Sequence, residues 1–224
     1  MKSPDPGRIK AVAFDVDGTM YANSRMYLRS IGWGLRNWKL IKAFRTVRQD
    51  IRDIKPIDDF YGLQAKLTGQ AMGISTQQAG KLIRERVYRD WEQTLSGIRL
   101  ENGLIETLQV FRDMGLGLGV LSDFPVNQKL EILGLNSMFE FALSAEEVGY
   151  LKPNPEAFKA LANGLGLAPE QILYVGNSYS YDIVGAHSVG MMTAHFAKKP
   201  RKHSLANFTF SIYANLRDWV VENL

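Results

Sequence analysis

The sequence predicts an α/β fold, with a doubly wound, Rossmann-like parallel sheet and an all-helical segment inserted after the first strand. Two observations predict it. From residue 97 onward, short apolar runs alternate with segments of helical periodicity, which is the pattern of a parallel sheet. Residues 21–96 show helical patterns only, and they follow directly on the first predicted strand. The sheet is therefore expected to form from residues on both sides of a helical insertion.

Length and composition exclude several classes of protein. With 224 residues, 46% of them hydrophobic and 22% charged, the chain is long enough for a large core and is neither disordered nor fibrous. It contains no cysteine, which excludes disulfides, thiolate nucleophiles and cysteine-ligated metals. Residues 1–7 lack the apolar run of a signal peptide, and no stretch approaches the roughly 18 apolar residues of a spanning helix. We therefore expect a cytoplasmic protein.

The first predicted strand, residues 11–14, ends in two acids, Asp15 and Asp17, followed by Gly18 and Thr19. Side chains at i and i+2 of an extended segment point the same way, so both carboxylates can face one volume beyond the sheet. Gly18 permits a turn that a Cβ would hinder. The alternative is a solvated turn in which each acid binds its own backbone. A buried strand before the pair favours a Mg²⁺ site, since Mg²⁺ prefers oxygen ligands and leaves room for a phosphate.

The helical insertion is strongly basic at its start. Residues 25–55 hold nine basic and two acidic side chains, a net charge of +7 within a chain whose total is +4. Asn23 or Ser24 could cap a helix that begins at Arg25. Apolar residues at helical spacing from Leu40 to Ile54 predict that this segment is a basic amphipathic helix. Its basic face could be a solvated surface, a cleft wall that attracts an anionic substrate, or a contact for an acidic membrane surface or nucleic acid.

Further elements follow from periodicity and glycine or proline signals. Ser75 and Gln78 have the spacing of a capping box at the start of a long helix. The other predicted helices cover about 60–71, 101–114, 126–133, 155–165 and 215–221, and one more holds Asp182 and runs up to Gly190. Strands are predicted over residues 117–121, 141–143 and 172–175, with two edge strands at 192–196 and 208–210.

Polar residues collect at the carboxyl ends of the predicted strands, where doubly wound sheets bind ligands. Besides the two acids they are Ser122, Lys152, Asn177 and Asp182. A carboxylate can attack phosphorus, and a second acid can move protons. A hydroxyl can hold phosphate oxygens, a lysine can neutralise charge, and a further acid can complete a Mg²⁺ shell. Taken alone, Ser122 could be a hydroxyl at a strand end, Lys152 a solvated loop lysine, and Asp182 a helix cap. Together they indicate phosphoryl transfer.

Four segments in this order resemble the motifs of the haloacid dehalogenase (HAD) superfamily. They are residues 14–19, residues 121–123, residues 149–155 and residues 175–182, and the resemblance covers about residues 8–200. The helical segment resembles the C1-type cap of the subfamily that includes phosphoglycolate phosphatase and β-phosphoglucomutase. The resemblance implies a core domain of residues 1–20 and 97–224 and a helical cap domain of residues 21–96.

The resemblance also implies a role for each matching residue. Asp15 would be the nucleophile, Asp17 the general acid/base that lends its backbone carbonyl to Mg²⁺, and Lys152 the residue that steadies the charges. Ser122, with Asp123, Gly18 and Thr19, would bind the transferring phosphoryl group. Asp182 and Asn177 would complete the metal site, although Asn177 stands where the family usually has an acid. The implied protein is a Mg²⁺-dependent phosphatase acting on a small anionic phosphomonoester, with no nucleic-acid partner.

Two rivals stay open. A phosphomutase would use the same core with a sugar hydroxyl as acceptor, and a catalytically weak binding protein would use the phosphate site and the basic helix to dock an anionic partner. Asp17 disfavours dehalogenase chemistry because it supplies a proton-transfer acid. The three histidines, His187, His195 and His203, share no metal-ligand spacing and are expected to be structural or surface residues. Trp33, Trp38 and Trp91 are expected to pack the cap, unless one contacts substrate.

Overall fold

The computed structural model describes residues 9–223, which form a parallel six-stranded sheet with helices on both faces. The strands are β1 (Ala11–Phe14), β2 (Gly117–Ser122), β3 (Phe141–Ser144), β4 (Ile172–Gly176), β5 (Met192–Phe196) and β6 (Phe208–Phe210). Their spatial order is β3-β2-β1-β4-β5-β6. The order reverses between β1 and β4, where such sheets bind ligands at the carboxyl ends. The predicted fold class is confirmed. The prediction that residues 1–7 carry no signal peptide lies outside the described residues.

The helices alternate with these strands. Four lie between β1 and β2: α1 (Asn23–Arg36), α2 (Trp38–Ile51), α3 (Phe60–Met72) and α4 (Thr76–Leu82), the last continued by a π-helical segment, Ile83–Trp91. The others are α5 (Leu104–Asp113), α6 (Asn127–Leu133), α7 (Ala145–Val148), α8 (Pro155–Gly164), α9 (Val184–Ser188) and α10 (Tyr213–Glu222). A 3₁₀ turn, Pro169–Gln171, precedes β4, and a π-helical turn, Tyr179–Ile183, leads into α9.

The ends of several elements differ from those that the sequence predicts. The capping box of Ser75 and Gln78 is present at the start of α4. The prediction of two edge strands was wrong for β5, because β6 pairs with its outer side. The basic helix ends at Ile51 and does not reach Ile54, and the stretch between it and α3 is not helical. Ala22, rather than Asn23 or Ser24, occupies the cap position of α1, with no side-chain hydrogen bond.

Alternation along the strands divides the core into two layers. Val12 and Phe14 face one side with Leu108 of α5 and Leu216 of α10. Ala11 and Ala13 face the other side with α8 and Tyr174. The insertion has a small apolar cluster of its own, formed by Leu40, Phe44, Ile83 and Val87. The layer that contains Ala11 and Ala13 also includes Val47, Ile51 and Phe60, so α2 and α3 pack against that layer of the core. The division into core and cap domains stays a prediction.

Helix α9 approaches α8 closely at Gly185, and this approach places the turn that carries Asp182. A Cβ on Gly185 would lie 2.3 Å from Cε2 of Phe158 and 3.0 Å from the Cα of Pro153. Both neighbours are held in place, one as a buried ring and the other as backbone. Only glycine therefore fits at this position without moving α9 away from the sheet.

We expect Gly185→Ala to lower the free energy of unfolding by about 1–3 kcal/mol, the usual cost of overpacking a core. Urea denaturation followed by circular dichroism would measure it. Gly32→Ala in α1 is the matched control, because nothing lies within 4 Å of a Cβ there. The control should leave the midpoint unchanged or raise it slightly. Equal midpoints for the two variants would contradict the packing argument.

Candidate active site

The centre of the site is a buried lysine that joins two carboxylates. Nζ of Lys152, which is 3% exposed, donates to Oδ1 of Asp15 at 2.7 Å and to Oδ1 of Asp182 at 2.7 Å. The hydroxyl of Tyr174 accepts a third hydrogen bond from it at 3.2 Å. Asp15 directly follows β1, and Asp182 lies in the turn after β4, so the lysine spans the switch point of the sheet. The structure thus brings together three residues that the sequence proposed.

The turn after β1 closes over these groups. Oγ1 of Thr19 donates to Oδ2 of Asp15 at 2.8 Å and accepts the backbone N–H of Asn177 at 3.1 Å. Gly18 has φ +90°, and a Cβ there would lie 2.2 Å from Nδ2 of Asn177. The backbone N–H of Ser178 donates to Oδ2 of Asp182 at 2.8 Å. The first and fourth sequence motifs therefore lock each other in place, and Gly18 is the residue that permits it.

Asp17 contacts a different cation. Nζ of Lys129 in α6 donates to its two carboxylate oxygens at 2.7 and 3.1 Å, and the hydroxyl of Tyr21 donates to Oδ1. Lys129 is fully buried, and its ammonium lies over the rings of Trp91 and Phe124, 5.3 and 4.9 Å from their centroids. The acids that the sequence predicted to share one volume are thus each paired with their own lysine.

The loop after β2 is held by arginines from the insertion. Nη2 of Arg52 donates to Oδ2 of Asp123 at 2.5 Å, and the backbone N–H of Lys152 donates to Oδ1 at 2.9 Å. Arg48 donates to the carbonyl of Asp123 at 2.5 Å and forms a buried ion pair with Glu146. Oγ of Ser122, buried at the end of β2, accepts the N–H of Phe124 at 3.1 Å. Both oxygens of the Asp123 carboxylate are therefore already bound within the protein.

The sequence pattern assigned no role to Lys129 or Tyr21, and it placed Arg48 and Arg52 only on a basic face. A signal for two of them was present. Lys129 lies among Val126, Leu130 and Leu133, and Arg48 lies among Phe44, Val47 and Ile51, in each case on the apolar face of a helix. A charge in such a position is buried and therefore needs a partner. The partners themselves come from distant segments, which periodicity does not indicate.

The buried charges around Lys152 do not cancel, because one ammonium group faces two carboxyl groups. Burial, followed by the nearby Asp182 carboxylate, raises the pKa of Asp15 to about 7, although Lys152 acts in the opposite direction. Burial lowers the pKa of Lys152, but the Asp15 and Asp182 carboxylates outweigh it and raise the pKa well above its usual range. Two carboxylates and one ammonium leave one negative charge when both acids are ionised. A cation beside Asp15 would favour its ionised form.

The available donors fit Mg²⁺. The carboxylates of Asp15 and Asp182, the amide oxygen of Asn177 and the backbone carbonyl of Asp17 are all hard oxygen donors at one edge of the sheet. Within residues 9–223, no three acidic or histidine side chains converge as a complete metal cage. Mg²⁺ characteristically uses one or two carboxylates and completes its shell with water and substrate phosphate, so two acids suffice.

A cavity of about 630 Å³ lies between α1, α2, the π-helical segment and the loop after β2, and its lining includes Asp123, which follows Ser122. Its walls include Trp33, Trp91, Phe124 and Tyr181. Trp38 instead is exposed. His195 is buried beside the carbonyl of Asn177, 3.2 Å from Nε2, and burial lowers its pKa. None of the helices in the described part of the chain combines the length and apolarity that crossing a membrane requires.

Comparison with known proteins identifies related chains. A family model described as haloacid dehalogenase-like hydrolase matches residues 9–190. A glyceraldehyde 3-phosphate phosphatase from Methanopyrus kandleri is 31% identical over 201 residues, covering 85% of this chain and 84% of the relative. A phosphoglycolate phosphatase from Mannheimia succiniciproducens is 25% identical, covering 96% of this chain and 95% of the relative.

Solved structures share the fold. A 2-haloacid dehalogenase from Pseudomonas syringae pv. tomato superposes with a TM-score of 0.72 at 23% identity, covering 96% of this chain and 98% of that one. A HAD phosphatase from Thermococcus onnurineus superposes with a TM-score of 0.62 at 24% identity, covering 95% and 98%. The architecture is thus common to dehalogenases and phosphatases.

Glu92 supplies a pH-dependent contribution to stability. Its side chain is 1% exposed, and Oε1 has no hydrogen-bond partner. Burial first, then the Asp17 and Glu146 carboxylates, raise its pKa from 4.5 to about 7, against the opposing effect of Lys129. Between these two pH values the folded protein holds a proton that the unfolded chain has lost. The free energy of unfolding therefore falls as pH rises through this window.

We expect Glu92→Gln, which mimics the protonated acid, to raise the melting temperature at pH 8 and to change it little at pH 4.5. Thermal melts across this range would measure the difference. Glu106→Gln on the exposed face of α5 is the control and should show no such pH-dependent gain. A gain for Glu92→Gln that is equal at both pH values would contradict the assignment.

Proposed function

This chain belongs to the haloacid dehalogenase-like hydrolases, and we propose that it is a Mg²⁺-dependent phosphatase that forms an aspartyl-phosphate on Asp15. The observation that carries the proposal is the lysine bridge, in which Nζ of Lys152 lies 2.7 Å from both Asp15 and Asp182. This bridge orients one carboxylate oxygen of Asp15 while leaving a net negative charge that a cation would balance. The phosphatase relatives support the same chemistry.

In the first half-reaction, the carboxylate of Asp15 attacks phosphorus and the ester oxygen leaves. Thr19 and Lys152 hold the attacking carboxylate in one orientation. Ser122 lies at the end of the neighbouring strand, and its Oγ accepts the backbone N–H of Phe124. Its hydroxyl proton is therefore left to donate to a phosphoryl oxygen. Asp17, which must enter this step protonated, gives its proton to the departing oxygen, so that an alcohol is released and Asp17 is left as a carboxylate.

In the second half-reaction, Asp17 has become a carboxylate and takes a proton from water as the water attacks the aspartyl-phosphate. Phosphate leaves and the Asp15 carboxylate is restored. Lys129 and Tyr21 fix the orientation of Asp17 in both steps. Because each acid has its own lysine, nucleophilic attack and proton transfer are assigned to separate groups.

Asp15, Asp182, Asn177 and the backbone carbonyl of Asp17 would hold the Mg²⁺, which supplies positive charge for the transferring phosphoryl oxygens. The proposed substrate is an anionic phosphomonoester. A cytoplasmic location and the lack of a nucleic-acid partner stay predictions from the sequence.

We expect purified protein to hydrolyse p-nitrophenyl phosphate with Mg²⁺ and to lose that activity in EDTA. Asp15→Asn should lower kcat by at least about a thousandfold, because the nucleophile is removed. Asp113→Asn on the exposed end of α5 is the matched control and should retain full activity.

The beryllofluoride anion, which mimics an aspartyl-phosphate, should bind the wild type with Mg²⁺ and not Asp15→Asn, as measured by ¹⁹F NMR. Failure of both hydrolysis and beryllofluoride binding would favour the rival of a catalytically weak binding protein. Phosphate retained on a sugar product, instead of released, would favour the phosphomutase.

Asn177 gives a second test of the metal site. Asn177→Asp keeps the shape of the side chain and adds a negative charge next to Thr19 and Asp15. We expect the Mg²⁺ concentration for half-maximal activity to fall several-fold, since ligand charge tunes the affinity for divalent cations. Asn163→Asp, an exposed position on α8, should leave that concentration unchanged. An unchanged Mg²⁺ requirement in Asn177→Asp would exclude Asn177 from the metal site.

A further inference from the structure

We propose that the leaving group of the substrate is a long aliphatic or isoprenoid alcohol, bound in the cavity between the insertion and the loop after β2. This inference rests on the proposed phosphatase function and specifies its substrate class. The cavity holds about 630 Å³. At ~30 Å³ per water-sized group, this corresponds to roughly twenty heavy atoms. A leaving group of two or three carbons would fill only a small part of it.

The interior of the cavity is lined mainly by hydrocarbon. Met26 of α1, Phe44 of α2 and Val87 line it and are buried, and the partly buried Trp91 lines it as well. Such walls stabilise an apolar ligand roughly in proportion to the apolar area that they remove from water. A sugar or hydroxy acid would lose its hydrogen bonds to water there.

The charged groups in the inner wall are already occupied. Arg52 is bound to Asp123, and Arg48 is bound to Glu146 and to the carbonyl of Asp123. Arg45 and Gln49 also line the cavity, but both are exposed. Charge is therefore available at the rim, where a polar end could remain in water, while the charged groups of the inner wall hold one another.

The wall of the cavity includes neighbours of the site residues, since Asp123 directly follows Ser122. The rings of Trp91 and Phe124 line it and also lie over the ammonium of Lys129, which pairs with Asp17. Tyr181, in the wall, directly precedes Asp182. A phosphomonoester with phosphorus at Asp15 and its ester oxygen at Asp17 would therefore extend its alcohol toward this cavity.

The other end of the cavity leads to an exposed apolar surface. Tyr27, Ile31 and Leu35 line the cavity while remaining 65%, 60% and 73% exposed. Leu28 and Trp38 extend the apolar surface beside them. Contiguous apolar residues on a surface characteristically mark a binding groove. A chain longer than the cavity would leave along this face of α1, which a small substrate would not need.

A series of alkyl phosphates tests the proposal, each used below its critical micelle concentration. With Mg²⁺, kcat/KM should rise about threefold to fourfold per methylene between ethyl and octyl phosphate, and it should still be rising at dodecyl phosphate, because the cavity holds roughly twenty heavy atoms. Geranyl phosphate should be hydrolysed at least as well as octyl phosphate. A flat profile in an enzyme that hydrolyses p-nitrophenyl phosphate through Asp15 would overturn the inference and leave the proposed function standing. No hydrolysis of any ester would refute the proposed function as well.

Two glycines in α1 provide matched variants. Gly34 lines the cavity, and a Cβ there has Cδ1 of Ile41 at 3.8 Å as its near neighbour. Gly34→Leu should lower the ratio of kcat/KM for dodecyl over ethyl phosphate by at least about tenfold, because the added side chain fills the cavity. Gly32→Leu makes the same change two residues earlier, in open space, and should leave the ratio unchanged. Equal ratios in the two variants would overturn the proposal.

A binding measurement separates recognition from turnover. Dodecylphosphonate, which has no ester bond to cleave, should change the fluorescence of Trp33 and Trp91 and bind at least about tenfold more tightly than ethylphosphonate. The same preference should hold in Asp15→Asn, because this variant keeps the cavity. Equal affinities for the two phosphonates would overturn the proposal even if the enzyme is active.

Discussion

The site depends on one buried ammonium group shared by two carboxylates. Lys152 reaches Asp15 at the end of β1 and Asp182 after β4, and without it two buried acids would lie close together with no counter-charge. Removing one partner of a buried ion pair commonly costs about 3–5 kcal/mol. The bridge also fixes the loop that follows α7 against the sheet. Structure and chemistry thus depend on the same contact, because it holds the strand ends together and orients the nucleophile.

A second constraint is the separation of two acids that are one residue apart in sequence. Asp15 is enclosed with Lys152 and Thr19, whereas Asp17 is bound by Lys129 and Tyr21. Different surroundings allow neighbouring carboxyl groups to perform different chemistry. In the proposed mechanism one attacks phosphorus and the other moves protons. The rings of Trp91 and Phe124 lie over Lys129 and also line the cavity, so they connect the partner of the proton donor with the proposed leaving-group site.

The basic insertion has more than one use. The sequence left open a solvated face, a cleft wall and a contact for a membrane surface or nucleic acid. Arg48 and Arg52 are neither a solvated face nor free cations of a cleft wall, because they form ion pairs with Glu146 and Asp123. Through Asp123 they connect α2 to the loop after β2. Arg45 remains exposed at the rim of the cavity. Internal ion pairs therefore account for part of the positive charge, and the rest surrounds an apolar opening.

The sequence by itself determined the alternation of strands and helices, the helical insertion and the family, because these depend on local periodicity and on short motifs in a fixed order. It also nominated Asp15, Lys152 and Asp182, since strand ends in a parallel sheet meet at one edge. Only the tertiary structure decided which cation each acid contacts, that Lys129 and Arg48 are buried, and that α1 borders a large apolar cavity. These features depend on contacts between residues far apart in the chain, and such contacts leave no local pattern in the sequence.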